Sequence, residues 1–156
     1  MRRFWLAMIL PLGLLSPGAF ADRISGYAFV NDDASLRIKH YTIHLFGVYV
    51  PPTDPTCRTF VQPVMCGSRA SLALDFKICA NFVDCETMEE YEDGSVAAIC
   101  RVQGEDLGAW LLSQGWALAL PHAPFEYAAR ERIATQRGIG VWGMPADLLR
   151  IPPFPR

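Results

Sequence analysis

The stretch Val30-Asn31-Asp32-Asp33-Ala34-Ser35-Leu36 followed by Ile43-His44-Leu45-Phe46-Gly47-Val48-Tyr49-Val50-Pro51-Pro52 decides how the chain folds. Leu36 and Ile38 alternate with Arg37 and Lys39, and Ile43 and Leu45 alternate with His44, the period of strands buried on one face. Upstream, Ile24, Tyr27, Phe29 and Val30 read as a further strand, with turns at Asn31-Asp32-Asp33 and Lys39-His40-Tyr41. The expectation is an antiparallel meander of three short strands.

Downstream, Gly47 to Pro63 holds Pro51, Pro52, Pro55 and Pro63 and reads as a long loop, because proline lacks the amide hydrogen a ladder needs. Gly67 to Cys79 reads as a helix that Ser68 caps, with Ala70, Ala73, Leu74 and Ile78 on one face and Lys77 near its end. Two more strands follow, Ala80 to Cys85 and Val96 to Val102, joined by an acid-rich stretch. Leu107, Trp110 and Leu111 mark a second helix ended by Gly115, and Phe125 to Arg137 a third closed by Gly138. Trp110, Trp116 and Trp142 are expected in the core, and 145–156 is a proline-rich tail without regular structure.

The first residues, Met1-Arg2-Arg3, an apolar run from Phe4 to Leu15 and Ser16-Pro17-Gly18-Ala19-Phe20-Ala21, describe a secretory signal over 1–21, cleaved after Ala21. A retained membrane anchor is the alternative. The remainder suits one domain over 22–144. Loss of Arg2 and Arg3 takes the formal net charge from −2 to −4. That sign opposes generic binding to a phosphate backbone.

In an exported chain the five cysteines predict two disulfides and one spare thiol. Cys57–Cys66 would staple the proline-rich loop, Cys85–Cys100 would join neighbouring strands, and Cys79 would be a buried free thiol. Zinc is the competing reading, but no Cys-x-x-Cys clasp is present.

Five strands with a helix after the third suggest a mainly β, α+β fold: an OB-type Greek-key barrel with about three helices. The opening stretch resembles the Val-x-Asp-Gly-Asp-Ser/Thr-Leu turn and the Ile-Arg-Leu-x-Gly-Ile-Asp-Ala-Pro-Glu segment of thermonuclease (staphylococcal-nuclease-like) proteins. Cys66-Gly67, Ala73-Leu74, Leu107-Gly108-Ala109-Trp110-Leu111, Gly115-Trp116-Ala117, Tyr127 and Gly140-Val141-Trp142 follow in that family's order. The resemblance runs over about residues 26 to 143.

The resemblance also implies what the chain lacks. Of the acidic metal positions only Asp32 is retained, while the others fall on Ala34 and Tyr49. The water-activating glutamate falls on Pro52, and the phosphate-clamping arginines on His44 and Ser95. Calcium wants six to eight oxygen ligands, and phosphoryl transfer relies on charge stabilisation. No catalytic residue, metal or cofactor is therefore assigned.

Alternation places His44 opposite Ile43 and Leu45, on the face that would carry a groove, and with Tyr49 it offers a different acid–base pair, but no convergent third group is visible in the sequence. The hairpin acids Asp84, Glu86, Glu89, Glu90, Glu92 and Asp93 read as a solvated loop, or as a surface that repels nucleic acid or recruits a basic partner. The expectation is a non-catalytic, exported, monomeric domain, periplasmic or secreted. Its role is binding or accessory, with a protein or polysaccharide partner, and exopolysaccharide (succinoglycan) biosynthesis is the pathway that the resemblance allows. The alternatives are a secreted metal-dependent nuclease with a displaced catalytic set, and a nucleic-acid-binding OB module.

Overall fold

The computed structural model describes residues 22–53, 56–58 and 65–144. The leader expected over 1–21 and the tail over 145–156 lie outside them. The fold is α+β and mainly β. In chain order the elements are β1 (Arg23–Tyr27), β2 (Phe29–Val30), β3 (Leu36–Ile38), β4 (Tyr41–Leu45), β5 (Val48–Tyr49), β6 (Thr56–Arg58), β7 (Met65–Gly67), α1 (Arg69–Ile78), β8 (Phe82–Glu90), β9 (Val96–Val102), β10 (Glu105–Asp106), α2 (Leu107–Ser113), β11 (Leu118–Ala119) and α3 (Phe125–Arg137), then a 3-10 turn at Gly140–Gly143.

The main sheet runs β1-β8-β9-β4-β3-β2, with β10 on β9. β1 and β2 are one stretch of chain interrupted at Ala28, so the path begins and ends on the same segment and the sheet curls. β4 and β9 are parallel, with Ile43 opposite Val96, and the other pairs in this sheet are antiparallel. Inward residues of these strands, among them Leu36, Ile38, Ile43 and Val83, are fully buried and meet Leu74 of α1 and Leu111 of α2. Each such side chain contributes about 1.5–3 kcal/mol on leaving water.

α1 forms as its spacing predicts. The Ser68 hydroxyl accepts from the Ser71 amide, and Ala70, Leu74 and Ile78 are buried. It starts at Arg69, because Gly67 belongs to the β6–β7 hairpin. α2 is capped by Asp106, whose Oδ1 accepts from the Ala109 amide at 3.0 Å. The Tyr127 hydroxyl of α3 donates to the same carboxylate at 2.8 and 2.9 Å. Burial and the Asp106 charge push the Tyr127 phenol well above its ordinary value, so it stays protonated as the donor that ties α3 to α2.

The two Gly-Trp and Gly-Val-Trp segments meet backbone to backbone. A Cβ on Gly140 would stand 2.2 Å from the Gly115 carbonyl oxygen, which accepts from the Val141 amide at 2.8 Å. Glycine is required there by contact as well as by its φ of 63°. Trp110 and Trp116 are half-buried and pack against the core, and Trp142 is half-buried.

Three sequence expectations are corrected. The strand expected over Ala80 to Cys85 runs from Phe82 to Glu90, so Asp84, Glu86, Glu89 and Glu90 lie on a strand and only Glu92 and Asp93 lie in the turn. Acids are compatible with a strand whose alternate residues, Val83 and Cys85, are buried. The long loop from Gly47 contains β5 and β6. Cys79 is a free thiol but exposed, because it is the left-handed residue (φ 40°) that ends α1 and projects beyond the last turn.

Cys85 and Cys100, facing each other on β8 and β9, form a disulfide. Cys57 and Cys66 stand opposite each other in the β6–β7 backbone register, while their side chains lie outside the described residues.

Candidate functional site

Two five-residue turns of the same design border one strand. In Asn31–Ser35 the Asn31 amide donates to the Ser35 carbonyl and the Ala34 amide to the Asn31 carbonyl, both at 2.9 Å. In Tyr91–Ser95 the equivalent bonds are Tyr91 to Ser95 at 2.9 Å and Gly94 to Tyr91 at 3.0 Å. Each turn places its fourth residue in the left-handed region, Ala34 at φ 66° and Gly94 at φ 81°. An aspartate locks each one. Asp33 Oδ1 accepts from the Ser35 amide and hydroxyl at 3.0 and 2.7 Å, and Asp93 Oδ1 accepts from those of Ser95 at 2.9 and 2.6 Å.

β4 runs between the strands that leave these turns, since Leu36 and Val96 both stand opposite Ile43. His44 is the next residue. A register shift between Thr87 and Glu89 marks a bulge in β8, the kind of irregularity that bends a strand, and beyond it Tyr91 meets the His44 ring edge to face at 6.2 Å.

Both carboxyls lie below the ordinary carboxylate value. For Asp33, burial pulls upward but is outweighed by the Ser35 hydroxyl and amide, with the His44 imidazole adding a smaller electrostatic pull downward. For Asp93, the Ser95 hydroxyl and amide lead, with His44 a smaller contribution. The two acids thus feel the same imidazole.

β4 ends at Leu45, and the chain reverses at Gly47 (φ 72°), where a Cβ would stand 2.9 Å from Ala123. It returns as β5, which pairs with β11, Tyr49 opposite Leu118. The helical half therefore fixes where Tyr49 sits. Between the first turn, the end of β4 and β5 lies an open cleft of about 190 Å³, lined by Asp33, Ala34, Ser35, His44, Val48 and Tyr49 together with Leu45 and Val50.

Of the residues singled out by sequence, Ala34, His44 and Tyr49 thus come together. Asp32 is exposed in its turn and does not line the cleft, and Pro52 is likewise exposed and outside it. Ser95 is buried in the second turn, bonded to Asp93. Sequence reasoning passed over Asp33 and treated Asp93 only as part of a charge run. The signal that finds both is the repeated Asp-x-Ser at 33–35 and 93–95.

Chemically, the cleft offers one ionised carboxylate, an imidazole and a phenol among apolar walls. Among the described residues no group of three or more His, Cys, Asp or Glu side chains is arranged to hold a metal ion. No family model and no curated protein matches the chain.

Proposed function

We propose that the chain is a thermonuclease-like domain, an OB-type five-stranded Greek-key barrel with helical additions, that binds without cutting. The observation that carries this reading is the make-up of the cleft, where Ala34, His44 and Tyr49 stand in place of carboxylate and arginine and Asp32 lies outside. The strand path supports the barrel, because it starts and ends on the β1–β2 segment and pairs β4 with β9 in parallel. In-line displacement at phosphorus needs concentrated positive charge at the phosphoryl oxygens, and this cleft supplies one imidazole beside a carboxylate.

The leader-like start and the Cys85–Cys100 disulfide support export to an oxidising compartment, periplasmic or extracellular. Among the described residues no helix is long and apolar enough to cross a membrane. The role is accessory at the cell envelope, with a protein or polysaccharide partner, and exopolysaccharide biosynthesis is the pathway the resemblance allows.

The test is incubation of the purified protein with single- and double-stranded nucleic acid in calcium, magnesium or chelator. No cleavage above background is expected under any condition. Metal-dependent cleavage lost in Asp32→Ala or Asp33→Ala overturns the reading.

A further inference from the structure

The charge balance of the cleft narrows what can occupy it. Asp33, His44 and Tyr49 are its titratable groups, and no lysine or arginine lines it. The Asp33 carboxylate is exposed; its Oδ1 accepts from the Ser35 amide and hydroxyl, while Oδ2 has no hydrogen-bond partner among the described residues. His44 is half-buried and meets Tyr91 by ring contact, and neither of its nitrogens has a hydrogen-bond partner among those residues. Asp93 acts on the same imidazole from outside the cleft. Two carboxylates therefore face one imidazole, and even a protonated His44 leaves negative charge in excess.

The rest of the wall is apolar, with Leu45, Val48 and Val50 beside the polar groups. A phosphate or a sugar acid entering here is repelled by Asp33 and finds no lysine or arginine to hold it. A neutral sugar can bond through its hydroxyls but leaves the carboxylate charge uncompensated. An ammonium on an alkyl stem matches each part of the lining. Its methylenes lie along the aliphatic wall, and its head donates to Asp33 Oδ2 and to the acceptor nitrogen of neutral His44.

We infer that the cleft receives a lysine side chain presented by a protein partner. This rests on the reading that the cleft binds without cutting, and it chooses the protein over the polysaccharide as what is bound there. A single charge-assisted contact in an open cleft is weak, so the affinity for one lysine in a short peptide is on the order of millimolar.

The test is NMR titration of protein purified after expression of the full chain, following the resonances of Ala34, His44, Val48 and Tyr49. The probes are the capped peptide Gly-Gly-Lys-Gly-Gly, the same peptide with its lysine Nζ acetylated, spermidine, a neutral glucose disaccharide and inorganic phosphate. The lysine peptide is expected to shift the cleft resonances saturably, and acetylation to weaken it fivefold or more, a comparison that needs no variant. Asp33→Asn keeps an acceptor oxygen for the Ser35 bonds and is expected to weaken the lysine peptide to a similar degree. Asp84→Asn removes a like charge from an exposed position of β8 that does not line the cleft and is expected to change the affinity less than twofold. Equal binding of the two peptides overturns the inference, as does a cleft that the lysine peptide leaves unmoved or a folded Asp33→Asn that binds it as wild type does. Tighter binding of the disaccharide or of phosphate overturns it too, and tighter binding of spermidine overturns a protein as the source of the ammonium. Each of these results leaves the non-cutting reading standing, whereas metal-dependent cleavage in the nucleic-acid incubation overturns both.

Discussion

The turns Asn31–Ser35 and Tyr91–Ser95 share one hydrogen-bond plan but sit in different surroundings. The first lines the cleft and buries its left-handed residue, Ala34, to 3% exposure. The second carries an exposed glycine, Gly94, with nothing within 4 Å of where a Cβ would be. Both carboxylates are exposed, but Asp33 lines the cleft and Asp93 does not. The turn is specified by the Asp-x-Ser side-chain bonds, since it forms with alanine or glycine at the left-handed position. What each turn can contribute to a site is set by what packs on it.

The largest difference between the two hairpins is covalent. β8 and β9 are joined by Cys85–Cys100, and β2–β3 has no such staple. Replacing both cysteines by serine is expected to cost about 2–4 kcal/mol, read as a lower denaturant midpoint that reductant no longer changes. A cost near zero would mean that the second hairpin needs no staple and that the two are alike.

Next comes the locking carboxylate. Asp33→Ala removes two charge-assisted bonds from the turn that lines the cleft over buried Ala34 and should cost about 1 kcal/mol in thermal or chemical unfolding. Asp93→Ala removes the same bonds from a turn whose left-handed residue, Gly94, is exposed and unpacked, and should cost less. Equal losses would dissolve the distinction between the turns.

The same bonds set an acid dependence. Both carboxyls ionise more readily in the folded chain than in the unfolded one. Their contribution is therefore complete above the ordinary carboxylate range and is lost as pH falls through their lowered folded values. Denaturation curves between neutral pH and strong acid should show wild type losing more stability on that limb than Asp33→Asn.

The smallest effects belong to the left-handed residues. Gly94→Ala meets no atom and pays only backbone strain, about 1 kcal/mol. Ala34→Gly relieves the same strain but gives up a buried methyl, leaving a gain of at most about 1 kcal/mol. Melting temperatures of the pair should move in opposite directions.

Sequence periodicity reached the meander, the Ser68 cap of α1 and the limits of α3, because caps and alternation are local signals. It stopped short where a signal serves two ends. Acids at Asp84 and Glu86 suit an exposed strand face as well as a loop, and only pairing with β1 and β9 decides between them. Cys79 looked like a helix residue but is the residue that ends the helix. In the cleft, alternation put His44 on the groove side, and the structure gathers His44 and Tyr49 there. Asp33 was not legible, because which of two adjacent acids bonds to Ser35 and lines the cleft is decided by the turn geometry around Ala34. The role of Asp93 depends on the parallel β4–β9 contact, which no local pattern announces.

The central structural claim is that two matching turns bracket one imidazole. It is tested most directly by carbon-detected NMR titration of the Asp33 and Asp93 carboxyls in wild type and in His44→Ala. The account predicts that both titrate below the ordinary carboxylate range and that both rise in the variant, each by less than its own serine-to-alanine change produces. Movement of only one carboxyl, or of neither, would contradict it.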